Sequence, residues 1–263
     1  MTISDATQKP SAGPKISPLN LISRYGTFVA FLLLLVFNIA VTPNFLSWQT
    51  LNVNLTQVAT IVIVATGMTL VIATGGIDLS VGSLMAISGA IAPMLFLETL
   101  FPIGSNAVAV TLAFVIPVLI AMAFGWFNGF LVTRFSIQPI VATLVLFIAG
   151  RGIAQVVTNG NLQVFKNDAF QFIAMGRILG IPAQVLLMIV IAALAHGLIR
   201  YTVVGRQIIA VGGNEKAARL TGIPVRRVKT FVYVISGAMA GISAGVSSRR
   251  SRRKTASSSS GGA

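Results

Sequence analysis

The chain has 263 residues, of which 55% are hydrophobic and only 9% are charged, with a mean hydropathy of +0.89. Soluble domains carry about 25% charged residues, so this composition excludes an ordinary soluble protein. There is no cysteine and one histidine, so we expect no disulfide, metal or cofactor. The net charge of +14 does not predict nucleic-acid binding, because the basic residues lie between apolar runs and after residue 247.

Seven apolar runs predict an all-α, polytopic bundle of six to seven transmembrane helices, because about 20 apolar residues cross a membrane core. The predicted spans are residues 27–41, 55–73, 81–97, 107–127, 139–157, 183–199 and 231–246. A cytoplasmic tail precedes them in residues 1–24, and residues 25–246 form one transmembrane domain. Residues 158–182 predict an external loop with one surface helix, and residues 247–263 predict a disordered basic, Ser-rich tail.

The distribution of Lys and Arg orients this predicted bundle. With the N-terminus in the cytoplasm, the inner segments carry eleven basic residues and the external loops carry two, Lys166 and Arg177. We therefore predict a multi-pass membrane protein with a cytoplasmic N-terminus. The five basic residues of the C-terminal tail would then lie outside and violate the rule.

The stretch from Thr74 to Ser83 interrupts the apolar sequence between the second and third spans. Gly75 and Gly76 permit backbone torsions and close approaches that other residues resist. Asp78 or Ser80 can cap the third span. One interpretation is a capped tight turn, and the other is a turn that also lines or gates a pathway, since a carboxylate at membrane depth is costly.

Two further ionisable residues lie in predicted spans. Arg151 is about 9 Å from the outer end of the fifth span by helical rise. It either snorkels or pairs with a carbonyl, or it contributes to a translocation path. His196 lies near the inner end of the sixth span, where we predict an interfacial residue.

The basic connector of residues 200–229 contains a predicted two-turn helix. Asn214 is a good N-cap, and Gly222 followed by Pro224 predicts its end. So short a helix is unstable alone in water, so it is either a solvated connector or an element that docks on the bundle or a partner. The candidate docking residues at this helix are Asn214, Glu215, Lys216, Arg219 and Leu220.

Glycines four residues apart predict close helix packing in the fourth span, at Gly125 and Gly129, and in the last span, at Gly237, Gly241 and Gly245. The chain has no Gly-x-x-x-x-Gly-Lys-Ser/Thr motif, so ATP hydrolysis is not placed in it. It also offers no acid–base pair or metal cluster for a membrane enzyme.

Four motifs together resemble the ribose-type monosaccharide ABC importer permeases, with the permeases for furanose-form galactose the most similar. They are Thr-Gly-Gly-Ile-Asp-Leu-Ser-Val-Gly at 74–82, Gln-Pro-Ile-Val-Ala-Thr-Leu at 138–144, Ala-Gly-Arg-Gly at 149–152 and Val-Gly-Gly-Asn at 211–214. The resemblance covers about residues 55–245, and the first motif is its most specific part.

The resemblance implies a pathway formed by two permease chains, identical or different, within membrane lipid. Cytoplasmic ATP-binding subunits drive it, and a periplasmic sugar-binding protein delivers the monosaccharide. It implies that residues 75–80 belong to the family signature and that residues 214–222 face the ATP-binding subunit.

The chain departs from the resemblance at its end. Family members continue through several more spans, whereas this chain turns at Ser247 into a Ser and Arg run, so we expect a truncated or frameshifted permease. Two alternatives to a permease working by alternating access stay open. One is an ion-coupled secondary transporter, with Asp78, Arg151 and His196 as the only relay candidates, and the other is a non-functional fragment.

Overall fold

The computed structural model describes residues 18–96, 106–160, 176–178 and 181–247. The chain divides into two compact units, Met1–Leu51 and Asn52–Ala263. The first 17 residues of the predicted N-terminal tail, most of the predicted loop at 158–182 and all but the first residue of the predicted C-terminal tail lie outside the described residues.

The described residues form nine helices and one short hairpin, which confirms the predicted all-α membrane bundle. The elements are α1 (Pro18–Val41), α2 (Trp48–Ile72), α3 (Val81–Phe96), α4 (Asn106–Arg134), α5 (Pro139–Val157), β1 (Arg177–Ile178), β2 (Ile181–Pro182), α6 (Ala183–Tyr201), α7 (Val203–Gly213), α8 (Glu215–Leu220) and α9 (Val225–Ser247). The two strands are antiparallel and pair Arg177 with Pro182.

Within the described residues, five helices are long and apolar enough to cross a membrane: α2, α4, α5, α6 and α9. The apolar helix α3 and the apolar part of α1, Tyr25–Val41, are shorter. Every predicted span corresponds to one of these helices. The bounds of α5 agree with the prediction, whereas α1 begins at Pro18, nine residues before the predicted span.

The first unit contains α1 and the start of α2. The apolar side chains of α1 are largely exposed, with Phe28 at 63% and Leu33 at 65%. This exposure is typical of a helix that faces lipid. A turn with Asn44 at φ 59° follows, and the Ser47 hydroxyl accepts from the Thr50 amide at 3.1 Å, so Ser47 caps α2.

In the second unit α3 packs against α4, α5 and α9, and α4 packs on α9 along most of its length. The two helices are antiparallel, since Gly125 lies against the carbonyl oxygen of Tyr233 and Gly241 lies against the backbone of Val118. A Cβ on Gly129 would lie 2.8 Å from the Thr230 Cα. The predicted close packing through glycines is confirmed, because a side chain at these positions would separate the helices.

One end of this unit is formed by the C-terminal ends of α4 and α6, the start of α5 and α9, and the helices α7 and α8; we call it the basic end. Its apolar core includes Val71, Val132, Ile208, Val228 and Tyr233. The helix α7 is a correction to the sequence prediction, which placed a single short helix in the connector of residues 200–229. It buries one face there, through Gly205, Ile208 and Val211.

Candidate functional site

The candidate site is the break between α2 and α3, residues 73–80. Three successive amides of the break, those of Thr74, Gly75 and Gly76, donate to carbonyls of the last turn of α2 at 2.9–3.1 Å. Gly75 adopts φ +75°, and a Cβ on Gly76 would lie 2.9 Å from the Tyr233 hydroxyl. Both glycines are therefore needed, the first for its torsion and the second for a close approach.

Asp78 is 1% exposed and accepts three hydrogen bonds. Its Oδ1 accepts from the Ser80 amide at 3.0 Å and the Ser80 hydroxyl at 2.6 Å. Its Oδ2 accepts from the Ser236 hydroxyl of α9 at 2.7 Å. Asp78 thus accepts from the amide two residues on, just before α3, as in an Asx turn, and also joins the break to α9.

Two more side chains extend this network to the neighbouring helices. The Asn128 Nδ2 of α4 donates to the Ser80 Oγ at 2.8 Å, and the Ser83 hydroxyl donates to the Leu146 carbonyl of α5 at 3.1 Å. We call Asp78, Ser80, Asn128 and Ser236 the Asp78 network. It connects the break to α4 and α9, and Ser83 adds the contact with α5.

The buried side chains of the break lie inside the bundle. Asn128 is six residues from the end of α4 and Leu146 is seven residues from the start of α5. Their hydrogen-bond partners, Ser80 and Ser83, therefore lie about 10 Å from the basic end. Non-helical backbone at such depth is tolerated where protein buries it or where it lines a water-filled cavity. Thr74, Asp78 and Ser80 are buried and meet the first condition, whereas Ile77 and Leu79 are exposed, so only one face of the break is covered.

Sequence reasoning missed Asn128, Ser236 and Tyr233. Asn128 is fully buried, and its Oδ1 has no hydrogen-bond partner among the described residues. Tyr233 is buried beside Gly76, with its hydroxyl 3.4 Å from the Ile77 carbonyl, to which it donates. A usable signal exists for two of them, because Asn128 and Ser236 each precede a close-packing glycine.

The break is also in contact with the basic end through α7. Gly212 lies against the carbonyl oxygen of Ala73, and a Cβ there would collide with it, whereas one on Gly213 would meet nothing within 4 Å. Thr202 caps the start of α7: its hydroxyl accepts from the Gly205 amide at 3.0 Å and donates to the Leu198 carbonyl oxygen at 2.6 Å. The helix α7 is thus held firmly between α6 and the break.

The predicted two-turn helix is confirmed as α8. The Asn214 side chain accepts from the Ala217 amide at 3.0 Å, and Gly222 adopts φ +83° after the helix. Lys216 is exposed, and Leu220 is 90% exposed at the end of the helix. An apolar side chain so exposed on a helix outside the spans is available for contact with another molecule.

Glu215 joins α8 to α9. Its Oε2 lies 2.6 Å from the Lys229 Nζ, and its Oε1 lies 3.0 Å from the Arg219 Nη2. The hydrogen bond from Lys229 is the main cause that lowers the pKa of Glu215, against the opposing effect of partial burial. The carboxylate is therefore ionised at neutral pH and tethers the short helix.

The structure does not bring Arg151 or His196 into the Asp78 network. Arg151 is exposed on α5, with its Cζ 5.1 Å from the centroid of the Phe147 ring, a cation–π contact. The His196 ring packs edge-on to Tyr201, with centroids 6.5 Å apart. In the part of the chain that the structure describes, no hydrogen bond links Asp78, Arg151 and His196.

Residues 50–261 match the family described as the permease component of the branched-chain amino acid transport system. The chain belongs to this permease family. The whole candidate site, from the break to α8, lies inside the matched region.

Curated relatives of this permease include three proteins named as sugar permeases. It is 40% identical to the fructose import permease protein FruF of Bifidobacterium longum over 230 residues, which are 82% of this chain and 62% of FruF. It is 37% identical to the ribose import permease protein RbsC of Escherichia coli K12, over 82% of this chain and 66% of RbsC. It is also 37% identical to the galactofuranose transporter permease protein YtfT of that strain, over 81% of this chain and 63% of YtfT.

The permease spans a little less than two thirds of the length of these relatives. No solved structure matches it. The relatives and the family confirm the predicted resemblance to sugar ABC importer permeases.

Proposed function

We propose that this chain is the transmembrane permease subunit of an ATP-binding cassette importer for a monosaccharide. The observation that carries the proposal is its 37–40% identity, over about four fifths of the chain, to relatives named as permeases for fructose, ribose and galactofuranose, two of them as import permeases. The match extends through the break and α8, so the elements proposed to work together all belong to the similar region.

The geometry supports a mechanism of alternating access. The helix α8 lies outside the spans and exposes Leu220, while α7 carries Gly212 to the backbone of the break. The Asp78 network then joins the break to α4 and α9. A displacement of α8 by a partner would therefore reach the helices around the break through contacts that the structure contains. In this proposal Gly75, Gly76, Asp78 and Ser80 shape or gate the pathway, and Arg151 lines its outer part.

The basic end supports a cytoplasmic location for α8 in the bacterial inner membrane. Eight basic residues of the described chain lie at this end: Arg134, Arg200, Arg206, Lys216, Arg219, Arg226, Arg227 and Lys229. Cytoplasmic segments carry an excess of Lys and Arg, so the proposal puts this end and the N-terminus inside. The proposed partners are an ATP-binding subunit there, a periplasmic sugar-binding protein and a second permease chain, identical or different.

The test is uptake of radiolabelled fructose, ribose and galactofuranose into vesicles that contain the chain and its co-expressed partners. We expect accumulation of one sugar with ATP, and none when the P-loop lysine of the ATP-binding subunit is replaced. Accumulation driven by a proton or sodium gradient without ATP would favour a secondary transporter instead. Absence of uptake by a well-folded chain would favour the non-functional fragment.

A further inference from the structure

A cavity of about 210 Å³ opens at the basic end, between the turn that joins α4 to α5, the helix α8 and the start of α9. Its lining residues are mostly polar or charged. The end of α4 contributes Thr133, the turn contributes Ser136 and Gln138, and α8 and α9 contribute Glu215, Arg219, Arg226 and Lys229. The cavity is therefore bordered directly by the helix that we propose as the docking element.

The lining carries an excess of positive charge. Three cationic side chains face one carboxylate, and that carboxylate already pairs with Lys229 at 2.6 Å and Arg219 at 3.0 Å. Arg226 is exposed and makes no hydrogen bond or ion pair with any described residue. The guanidinium of Arg226 is thus an exposed cation at the cavity that pairs with no carboxylate of the described residues.

The volume and the chemistry restrict what fits. Pockets for whole small-molecule ligands measure about 300–1,000 Å³, so this cavity suits a single side chain better than a nucleotide or a sugar. An arginine fork binds a carboxylate through two parallel hydrogen bonds. The hydroxyls of Thr133 and Ser136 and the amide of Gln138 add polar groups to the wall.

We propose that this cavity receives an acidic side chain of the cytoplasmic ATP-binding subunit and that Arg226 is its principal contact. This inference rests on the proposed function. Leu220 favours a protein over a lipid headgroup as the source of the anion, because this 90% exposed leucine follows the cavity-lining Arg219 on α8. The rim of the cavity thus combines an exposed apolar side chain with arginines, and arginine is enriched at protein interfaces.

The chain provides a matched pair of variants for the test. Arg226 and Arg227 are adjacent and both exposed, but only Arg226 lines the cavity. The full chain is co-expressed with its ATP-binding subunit, and the amount of that subunit that copurifies is measured for the wild type, Arg226→Glu and Arg227→Glu. We expect Arg226→Glu to weaken the complex about tenfold or more, because Arg226 would pair with a charge of the partner. We expect Arg227→Glu to change the complex less than about twofold, because Arg227 would lie at the periphery of the contact.

Two controls separate binding from folding. Expression level and monodispersity in detergent must be equal for both variants. An Asp or Glu to Arg substitution in the ATP-binding subunit, selected for growth on the sugar in the Arg226→Glu background, is expected to restore copurification, since it reverses the charge pair.

Three results would overturn the inference. Equal losses in the two variants would show general electrostatic attraction and not a site. Unchanged subunit binding, with reduced retention of phosphatidylglycerol by Arg226→Glu alone in native mass spectrometry, would assign the cavity to a lipid phosphate. A wild-type chain that captures no ATP-binding subunit would overturn the proposed function itself, which distinguishes that failure from the first two.

Discussion

Asp78 shows at the level of a single residue how an acid is accommodated inside an apolar bundle. Both carboxylate oxygens accept hydrogen bonds, and the donors come from Ser80 beside it and from Ser236 on α9. A hydrogen bond to a charged group contributes about 1.5–3 kcal/mol, against about 0.5–1.5 kcal/mol for a neutral one. The acid is thus expected to stabilise one position of the break relative to α9.

We expect Asp78→Asn to lower both stability and ATP-driven uptake, because an amide group replaces one hydrogen-bond acceptor with a donor. The expected loss is about 1–3 kcal/mol in the free energy of unfolding. It is measured by denaturation in detergent, together with initial uptake rates normalised to the amount of folded protein. Ser236→Ala is the matched variant, since it removes one of the three hydrogen bonds and keeps the carboxylate. Normal uptake by Asp78→Asn at normal expression would show that Asp78 serves only to form the turn and has no role in the pathway.

The tether at Glu215 predicts a pH dependence for α8. The pKa of Glu215 is lowered from its ordinary value of 4.5, chiefly by the Lys229 hydrogen bond. A lowered folded-state pKa means that the stabilisation is complete above the unfolded value and is lost as pH falls below it. We expect hydrogen exchange of the α8 amides, corrected for intrinsic rates, to speed up below about pH 4.5.

The matched variants for this experiment are Glu215→Gln and Lys216→Gln. Glu215→Gln should show weak protection of α8 at every pH, because the ion pairs with Arg219 and Lys229 are absent. Lys216 belongs to no ion pair among the described residues, so its variant should behave as the wild type does. Equal protection in all three chains would show that the ion pairs do not hold α8.

Among the elements, α7 links the exposed helix α8 to the interior. It is amphipathic: its buried face joins the same apolar cluster as Val71 and Tyr233, and its Gly212 lies on the backbone where the break begins. A close-packed interior transmits a displacement from one element to its neighbour. A direct backbone contact, such as that of Gly212 with Ala73, leaves no flexible side chain to absorb the displacement. This is the physical reason for assigning the connection to α7 rather than to α8 alone.

Two adjacent glycines test that assignment. Gly212→Ala introduces a collision with the carbonyl of Ala73, so we expect a loss of about 1–3 kcal/mol in unfolding free energy and slower uptake. Gly213→Ala enters open space and should be neutral or slightly stabilising, because alanine favours a helix by about 1 kcal/mol. Both values come from denaturation and uptake in the same preparations. Similar behaviour of the two variants would contradict a tight contact between α7 and the break.

For the whole molecule, the distribution of charge predicts the orientation in the membrane. The eight basic residues at one end should make that end cytoplasmic. The helix α5 starts at the basic end and ends in a turn where Asn159 adopts φ 49°. This turn should therefore lie on the outer side of the membrane. The chain has no cysteine, so single introduced cysteines report position without background.

We expect a membrane-impermeant maleimide to label Asn159→Cys in spheroplasts and to label Leu220→Cys only after permeabilisation. Both positions are exposed, so differences in labelling report sidedness and not burial. Unlabelled Asn159→Cys together with labelled Leu220→Cys in intact spheroplasts would invert the proposed orientation.

Local patterns of residues predicted much of this permease. The spans follow from the lengths of the apolar runs, and α8 follows from Asn214 and Gly222, because capping and helix termination depend on neighbouring residues. The glycine spacing on α4 and α9 predicted close packing. These features need no knowledge of what lies across the bundle.

The sequence by itself therefore determined the class, the spans, the glycine-rich break and the short helix α8. The tertiary structure decided the rest: that Asp78 binds Ser236, 158 residues away, that α7 packs beneath the break, and that Arg226 rather than Arg227 borders a cavity. The reason is physical. Periodicity tells which residues avoid water, but the partner of a buried polar group is set by the packing of distant helices.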